Sequence, residues 1–259
     1  MSLFVFLNYN KEIAMTKLYK KSEFIFAVLW IIAYIVLSGF GDLLSRAAVV
    51  SKSITAVLHI AMLLILFFWI RKNDLNVKYG FCRSGIPAKR FLFFTPLVFI
   101  ASMQLWNGII LRSFSFETAL YMISMCCVGF LEEVIFRGLL FRSLEKDSLK
   151  AAIILSSSAF GLLHFLNYFN GSGLGLTVSI VQVFFAVLAG FVLVLIFSRG
   201  GSLIPCILFH AANNVLSVLG DDGAMNFEWQ LMFKTLLFIA VLGGYLLYLL
   251  KAFPKNAEL

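Results

Sequence analysis

The sequence predicts an all-α fold, a polytopic membrane bundle of about eight helices with both termini on the cytoplasmic side. Three observations carry that reading. Hydrophobic residues make up 61% of the 259 and charged residues 13%, with a mean hydropathy of +0.97, so the chain's solvent is mostly lipid. Apolar stretches close to the ~20 residues that cross a bilayer recur along the whole chain. The basic residues gather on alternate connections between those stretches.

Taken in order, the spans are expected near 24–41, 53–70, 91–111, 118–141, 151–168, 177–198, 202–219 and 230–250. The first follows a basic flank, Lys11 to Lys21, with no small-residue cleavage site after it, so it is expected to stay as an anchor. Gly39-Phe40-Gly41-Asp42 reads as its end. The second contains His59, which has no companion at helical spacing and reads as an interhelical packing residue. The fourth holds Glu132, Glu133 and Arg137, the fifth His164, and the seventh His210 and Asn214. The turn Asn170-Gly171-Ser172-Gly173 joins the fifth span to the sixth. No room remains for a soluble domain, so residues 1–259 read as one membrane domain whose motif-bearing core is about 90–220.

With the termini inside, the inner segments carry sixteen of the 21 basic residues. The outer segments carry Arg46, Lys52 and Arg112, while Arg137 and Lys234 lie within spans. The net charge of +8 is therefore a positive-inside signal. Nucleic acid is excluded as a partner, because no basic stripe interleaved with aromatics forms on a soluble face. The four cysteines, Cys82, Cys126, Cys127 and Cys206, contain no C-x-x-C pair and read as small apolar fillers where they fall in spans.

Charges inside a span need a reason, since each opposes insertion by about 3 kcal/mol at the bilayer centre. Glu133 and Arg137 are i,i+4 neighbours with the acid first, the favourable order for a pair on one helix face. Glu132 points about 100° away from Glu133 and has no such partner, which suits a general base facing a cavity. Helical rise of about 1.5 Å per residue puts Glu132 about 15 Å from Arg142, His164 about 21 Å from Lys150 and His210 about 16 Å from Arg199. Three helices running in alternate directions thus bring a carboxylate and two imidazoles to a similar central depth. His210 shares its face with Asn214 at i+4, pairing an imidazole with a carboxamide able to donate to an oxyanion. Ser156, Ser157 and Ser158 would give the His164 helix one polar face.

Glu132-Glu133-x-x-x-Arg137, Phe160-x-x-x-His164 and His210-x-x-x-Asn214, in this order on separate spans, resemble the CPBP family: the CAAX proteases and bacteriocin-processing enzymes also called the Abi family. The resemblance covers about residues 90–220. It implies an intramembrane endopeptidase with a cavity open to the cytoplasm and Glu132 as the catalytic glutamate. Glu133 and Arg137 are its motif neighbours, His164 and His210 its partners, and Asn214 an oxyanion or water-positioning group. Two mechanisms stay open. Glu132, His164 and His210 could hold Zn²⁺ with a free position for water, or the same groups could activate water with no cofactor. The absence of His-Glu-x-x-His favours the second.

Other intramembrane protease chemistries fit less well. The Gly-x-Gly-Asp string at Gly39 lacks a second intramembrane aspartate, and no Gly-x-Ser-Gly is present for a serine site. The non-enzymatic alternative is a membrane immunity or scaffold protein that binds a peptide or toxin receptor. The expected partners are the bilayer and a membrane-associated protein or peptide, with or without a lipid chain. The expected location is a bacterial plasma membrane.

Overall fold

The computed structural model describes residues 14–48, 50–109, 115–169, 175–221 and 227–253. Among these the regular structure is all helix, apart from one isolated antiparallel bridge between Ile109 and Gly220. Eight main helices follow a short helical segment at 14–21: α1 (Glu23–Ala47), α2 (Ser53–Lys72), α3 (Thr95–Ser102), α4 (Phe116–Glu132), α5 (Leu149–Leu163), α6 (Leu176–Gly200), α7 (Ile204–Leu219) and α8 (Phe227–Ala252). α4 runs without a break into a wider π-helix, Glu133–Phe141, and ends at Leu144. The turn expected at Asn170–Gly173 lies outside the described residues.

Serines start the helices where the sequence changes from polar to apolar. Ser22 and Ser148 accept from the backbone of Ile25 and Ala151, and Ser115 forms a reciprocal capping box with Thr118. Gly201 closes α6 at φ 72°, a left-handed position that costs glycine least.

Six stretches are long and apolar enough to cross a membrane: Glu23–Ala47, Ser53–Lys72, Ala88–Leu105, Phe116–Leu144, Leu176–Gly200 and Met232–Ala252. The chain is an integral membrane protein. α5 and α7, with 15 and 16 residues, are shorter. At about 1.5 Å per residue they rise about 22–24 Å, less than the ~30 Å hydrocarbon thickness. These two carry His164 and His210, so the helices of the imidazoles stop short where the others run on.

Two expected elements differ in detail. α1 continues five residues past Asp42, so Gly39–Asp42 is no helix end. Asp42 instead pairs with Lys52 at 2.8 Å and accepts from Thr55 Oγ1 at 2.6 Å, while a Cβ on Gly41 would sit 2.9 Å from the Thr55 backbone. The expected third span, 91–111, is broken: Leu92, Phe93 and Phe94 all have positive φ, and regular α-helix begins only at Thr95, with Pro96 in its first turn.

Contacts sort the helix ends into two groups. At one end Glu23 holds both Lys78 and Lys146 at 2.7 Å, the Gly85 N–H donates to Gly200, the Leu203 N–H donates to Gly80, and Arg90 donates to the Ala252 carbonyl. At the other, Lys52 lies 5.5 Å from the Tyr121 ring centroid, the Ser51 N–H reaches Glu117 at 3.4 Å, and the Asp221 N–H donates to Gly108. Successive helices therefore run in opposite directions. The basic loops share the first end, and Arg46 and Lys52 lie at the second.

Helices close up where side chains are smallest. A Cβ on Gly129 of α4 would lie 2.5 Å from the Ala211 nitrogen of α7, and one on Gly190 of α6 3.1 Å from the Ser157 Cα of α5. Such small-residue contacts let backbones approach in lipid, where packing replaces the hydrophobic effect as the driving force. Both crossings flank the motif residues.

Candidate active site

Along Leu131–Phe141 every residue is buried except Glu132, which is half-buried. That exception turns its carboxylate into a cavity of about 600 Å³ whose wall also includes Tyr34, His59, His164, His210 and Asn214. Tyr34 Oη donates to Glu132 Oε1 at 2.6 Å. Glu132 Oε2 has no hydrogen-bond partner among the described residues and lies 3.6 Å from His210 Nε2, just beyond hydrogen-bond range.

Glu133 faces the opposite way, into the protein. Its Oε1 lies 2.8 Å from His210 Nδ1 and 3.0 Å from Arg137 Nη1, and Glu133 and Arg137 are both fully buried. The expected pair is thus present, with a third member from α7. A carboxylate only accepts, so this contact places a proton on His210 Nδ1 and leaves Nε2 toward Glu132. His164 is fixed in the same sense: its Nδ1 donates to the Phe160 carbonyl at 2.9 Å, which leaves its Nε2 free. Both tautomers follow from the acceptors available to Nδ1.

Phe160 sits at the centre of these groups. Its ring meets His164 and His210 edge-on, at centroid distances of 4.8 and 5.7 Å, and the Arg137 guanidinium lies 3.9 Å from its centroid. Cation–π attraction of a desolvated arginine contributes about 2 kcal/mol. It compensates in part for the two Nη atoms of Arg137, which find no well-directed hydrogen bond.

A second cavity of about 320 Å³, lined from α3, α5, α6, α7 and α8, shares His164, Gln182, His210, Asn214 and Ser217 with the first. Its remaining polar lining is uncharged, Gln104 and Asn213, with Gln104 Nε2 donating to Asn213 Oδ1 at 3.1 Å. Apolar walls come from Leu193, Phe185 and Phe238, the last two stacked at 4.2 Å.

The structure brings Glu132, His164, His210 and Asn214 to one cavity wall and sets Glu133 and Arg137 behind it. Ser156 and Ser157 are buried at the α5 packing surface instead of lining the cavity. His59 bridges helices as expected, 2.9 Å from both Ser38 Oγ and Ser124 Oγ. Cys127 and Cys206 are buried fillers, whereas Cys126 is exposed on the outside of the bundle. Among the described residues no three His, Cys, Asp or Glu side chains stand close enough to hold a metal ion. The set Glu132, His164 and His210 does not fit zinc in this arrangement.

Residues 114–216 match the family model for type II CAAX prenyl endopeptidases, Rce1-like. The resemblance read from the three motifs is borne out over that segment, which contains all of them. Neither the curated proteins nor the solved structures give a match. The Rce1-like segment excludes α1 and α2, and with them Tyr34, the one direct partner of Glu132 that the motifs do not contain. A signal for it exists in the sequence: Tyr34, Ser38, Asp42 and Ser45 fall at i, i+4, i+8 and i+11, a polar stripe along an otherwise apolar span.

Proposed function

We propose that this chain is an intramembrane endopeptidase that hydrolyses a peptide bond of a membrane-associated protein or peptide, with Glu132 as the base that activates water. The observation that carries this reading is the unpartnered Glu132 Oε2 held 3.6 Å from His210 Nε2 on the wall of a cavity. The Rce1-like match supports a protease acting in the membrane.

A water between Glu132 and His210 gives its proton to Glu132 as its oxygen bonds to the carbonyl carbon of the scissile peptide. The carbonyl π-pair moves onto oxygen. Asn214, one turn from His210 on the same cavity wall, donates to that oxyanion through its carboxamide. His164 lines the same cavity, and its Nε2, an acceptor in this tautomer, takes a hydrogen bond from the water or from a substrate amide N–H. Collapse of the tetrahedral intermediate breaks the C–N bond, and the proton held by Glu132 passes to the departing nitrogen. Glu133 keeps His210 in one tautomer, with Nε2 turned toward the water, the part an orienting carboxylate plays beside an imidazole. Arg137, 3.0 Å from Glu133, holds that carboxylate in place beside His210.

The test is cleavage of a fluorogenic peptide library, prenylated and unprenylated, by detergent-solubilised wild type and Glu132→Gln at matched folding. Loss of turnover in the variant, with wild-type activity unchanged by a zinc chelator, is expected. Equal cleavage by both proteins would remove Glu132 as base, and chelator sensitivity would replace direct water activation by metal chemistry. A plasma-membrane location belongs to the same proposal.

A further inference from the structure

The cavity has a direction. Its exposed lining residues, Arg46, Ser51, Tyr121 and Ser217, all lie at the end of the bundle where α1 passes into α2 and α7 ends. Toward the other end the path from Glu132 is blocked. Val134, Ile135, Phe136, Leu139, Leu140 and Phe141 are each at most 5% exposed, and Tyr79, Phe197 and Leu203 pack beneath them, also buried. Among the described residues, the large cavity beside Glu132 has its exposed lining at that one end.

That side is the one poor in basic residues. The blocked end gathers the segments that hold Lys17 to Lys21, Arg71 to Arg90, Arg142 to Lys150, Arg199 and Lys251, while the open end has Arg46 and Lys52, with Arg112 in the connection before α4. Lysine and arginine bias across short loops sets orientation, with the rich side retained in the cytoplasm. With Lys11 and Lys255 counted from the sequence into the two terminal segments, the bias is sixteen to three, and the rich end is the cytoplasmic one.

We infer that the catalytic cavity opens on the extracytoplasmic side, and that the substrate is a peptide segment presented from that side or from the outer leaflet. This rests on the protease reading for its substrate clause and departs from the cytoplasmic opening implied by the family resemblance. A prenylated C-terminal peptide, finished in the cytoplasm, lies across the membrane from such a cavity. The uncharged carboxamides of Gln104, Gln182 and Asn213 beside the apolar walls of Phe185 and Phe238 suit an extended backbone with apolar side chains.

Two readouts test the inference. In a cysteine-free background, Ser51→Cys at the open end and Arg83→Cys at the basic end are labelled in intact cells with a membrane-impermeant maleimide. Labelling of Ser51→Cys without permeabilisation, and of Arg83→Cys only after it, is expected; the reverse overturns the inference. Either position decides the facing if the other variant fails to fold. In parallel, an impermeant fluorogenic peptide is offered to right-side-out and inverted vesicles. At least tenfold faster cleavage by the right-side-out population is expected, and faster cleavage by the inverted one overturns the inference while leaving the protease reading intact. If detergent-solubilised protein cleaves nothing, the protease reading and the substrate clause fall together, and the labelling still decides which way the cavity faces.

Discussion

Glu132 and Glu133 are adjacent in the chain and about 1.5 Å apart along the helix axis, yet they sit in two different regions of the molecule. Glu133 is fully buried, 3.0 Å from a guanidinium and 2.8 Å from an imidazole nitrogen. Glu132 has one tyrosine donor on Oε1 and an Oε2 with none. The difference separates two requirements that a charge inside a membrane helix faces. One carboxylate is matched by protein charges, and the other has an oxygen left without a hydrogen-bond partner among the described residues, the split that the proposed mechanism uses. The rotation of about 100° between consecutive helical positions produces the split from two identical side chains.

The largest expected effects set these roles against each other. Glu132→Gln removes the proposed base while keeping its shape, and turnover is expected to fall by about 10²–10⁴, the usual contribution of general base catalysis. Thermal stability in detergent should hold or rise, because no buried partner loses its charge. Glu133→Gln should do the opposite first: removing one member of a buried ion pair costs about 3–5 kcal/mol, seen as a lower unfolding midpoint before any assay. If Glu133→Gln folds normally and is inactive while Glu132→Gln is active, the two roles are exchanged.

The next effect concerns the cavity wall. Asn214→Ala removes a donor expected to act only on the oxyanion, so kcat should drop by about 10²–10³ with KM nearly unchanged. A rise in KM at constant kcat would make Asn214 a substrate-binding group instead. Smaller again is Gly129→Val, which inserts bulk where α4 and α7 approach most closely. Overpacking of this kind costs about 1–3 kcal/mol. It also moves His210 on α7 away from Glu133 on the helix that continues α4. Activity should therefore fall further than that of a comparable glycine substitution at Gly243, where an added Cβ meets nothing. Equal losses at the two glycines would mean that the α4–α7 spacing does not set the site.

The all-helical membrane class and the meeting of Glu132, His164 and His210 were legible because lipid forces both: apolar length marks membrane helices, and ionisable groups in them must meet partners. The Glu133–Arg137 pair followed from i,i+4 spacing alone. Other features depend on contacts between segments distant in sequence. The break at Leu92–Phe94 lies within an apolar run that reads like any other span. The bond from Glu133 to His210 spans 77 residues, and the bond from Tyr34 to Glu132 spans 98. Ser156 and Ser157 show the converse error, since their spacing suggested a polar face and tertiary packing buried it. The direction of the cavity needed both sources, because loop charge is a property of sequence and the blocked path beneath Glu132 is a property of packing.

Tyr34 provides the finest test of the contrast between the two carboxylates. If Glu132 were only a charge awaiting neutralisation, a tyrosine donor would be one compensation among several, and Tyr34→Phe would act mainly on stability. If Glu132 is the base, the bond to Oε1 fixes the plane of the carboxylate and so aims Oε2 at His210 Nε2 and the water between them. Hydrogen bonds to charged groups contribute about 1.5–3 kcal/mol. Tyr34→Phe should therefore lower kcat by about tenfold or somewhat more, with KM little changed. The decisive comparison is the double variant. In a Glu132→Gln background the same substitution should cost almost nothing further, because the group it positions no longer takes the proton. A full additional tenfold loss in that background would show that Tyr34 acts independently of Glu132, through the substrate or through the α1–α4 contact.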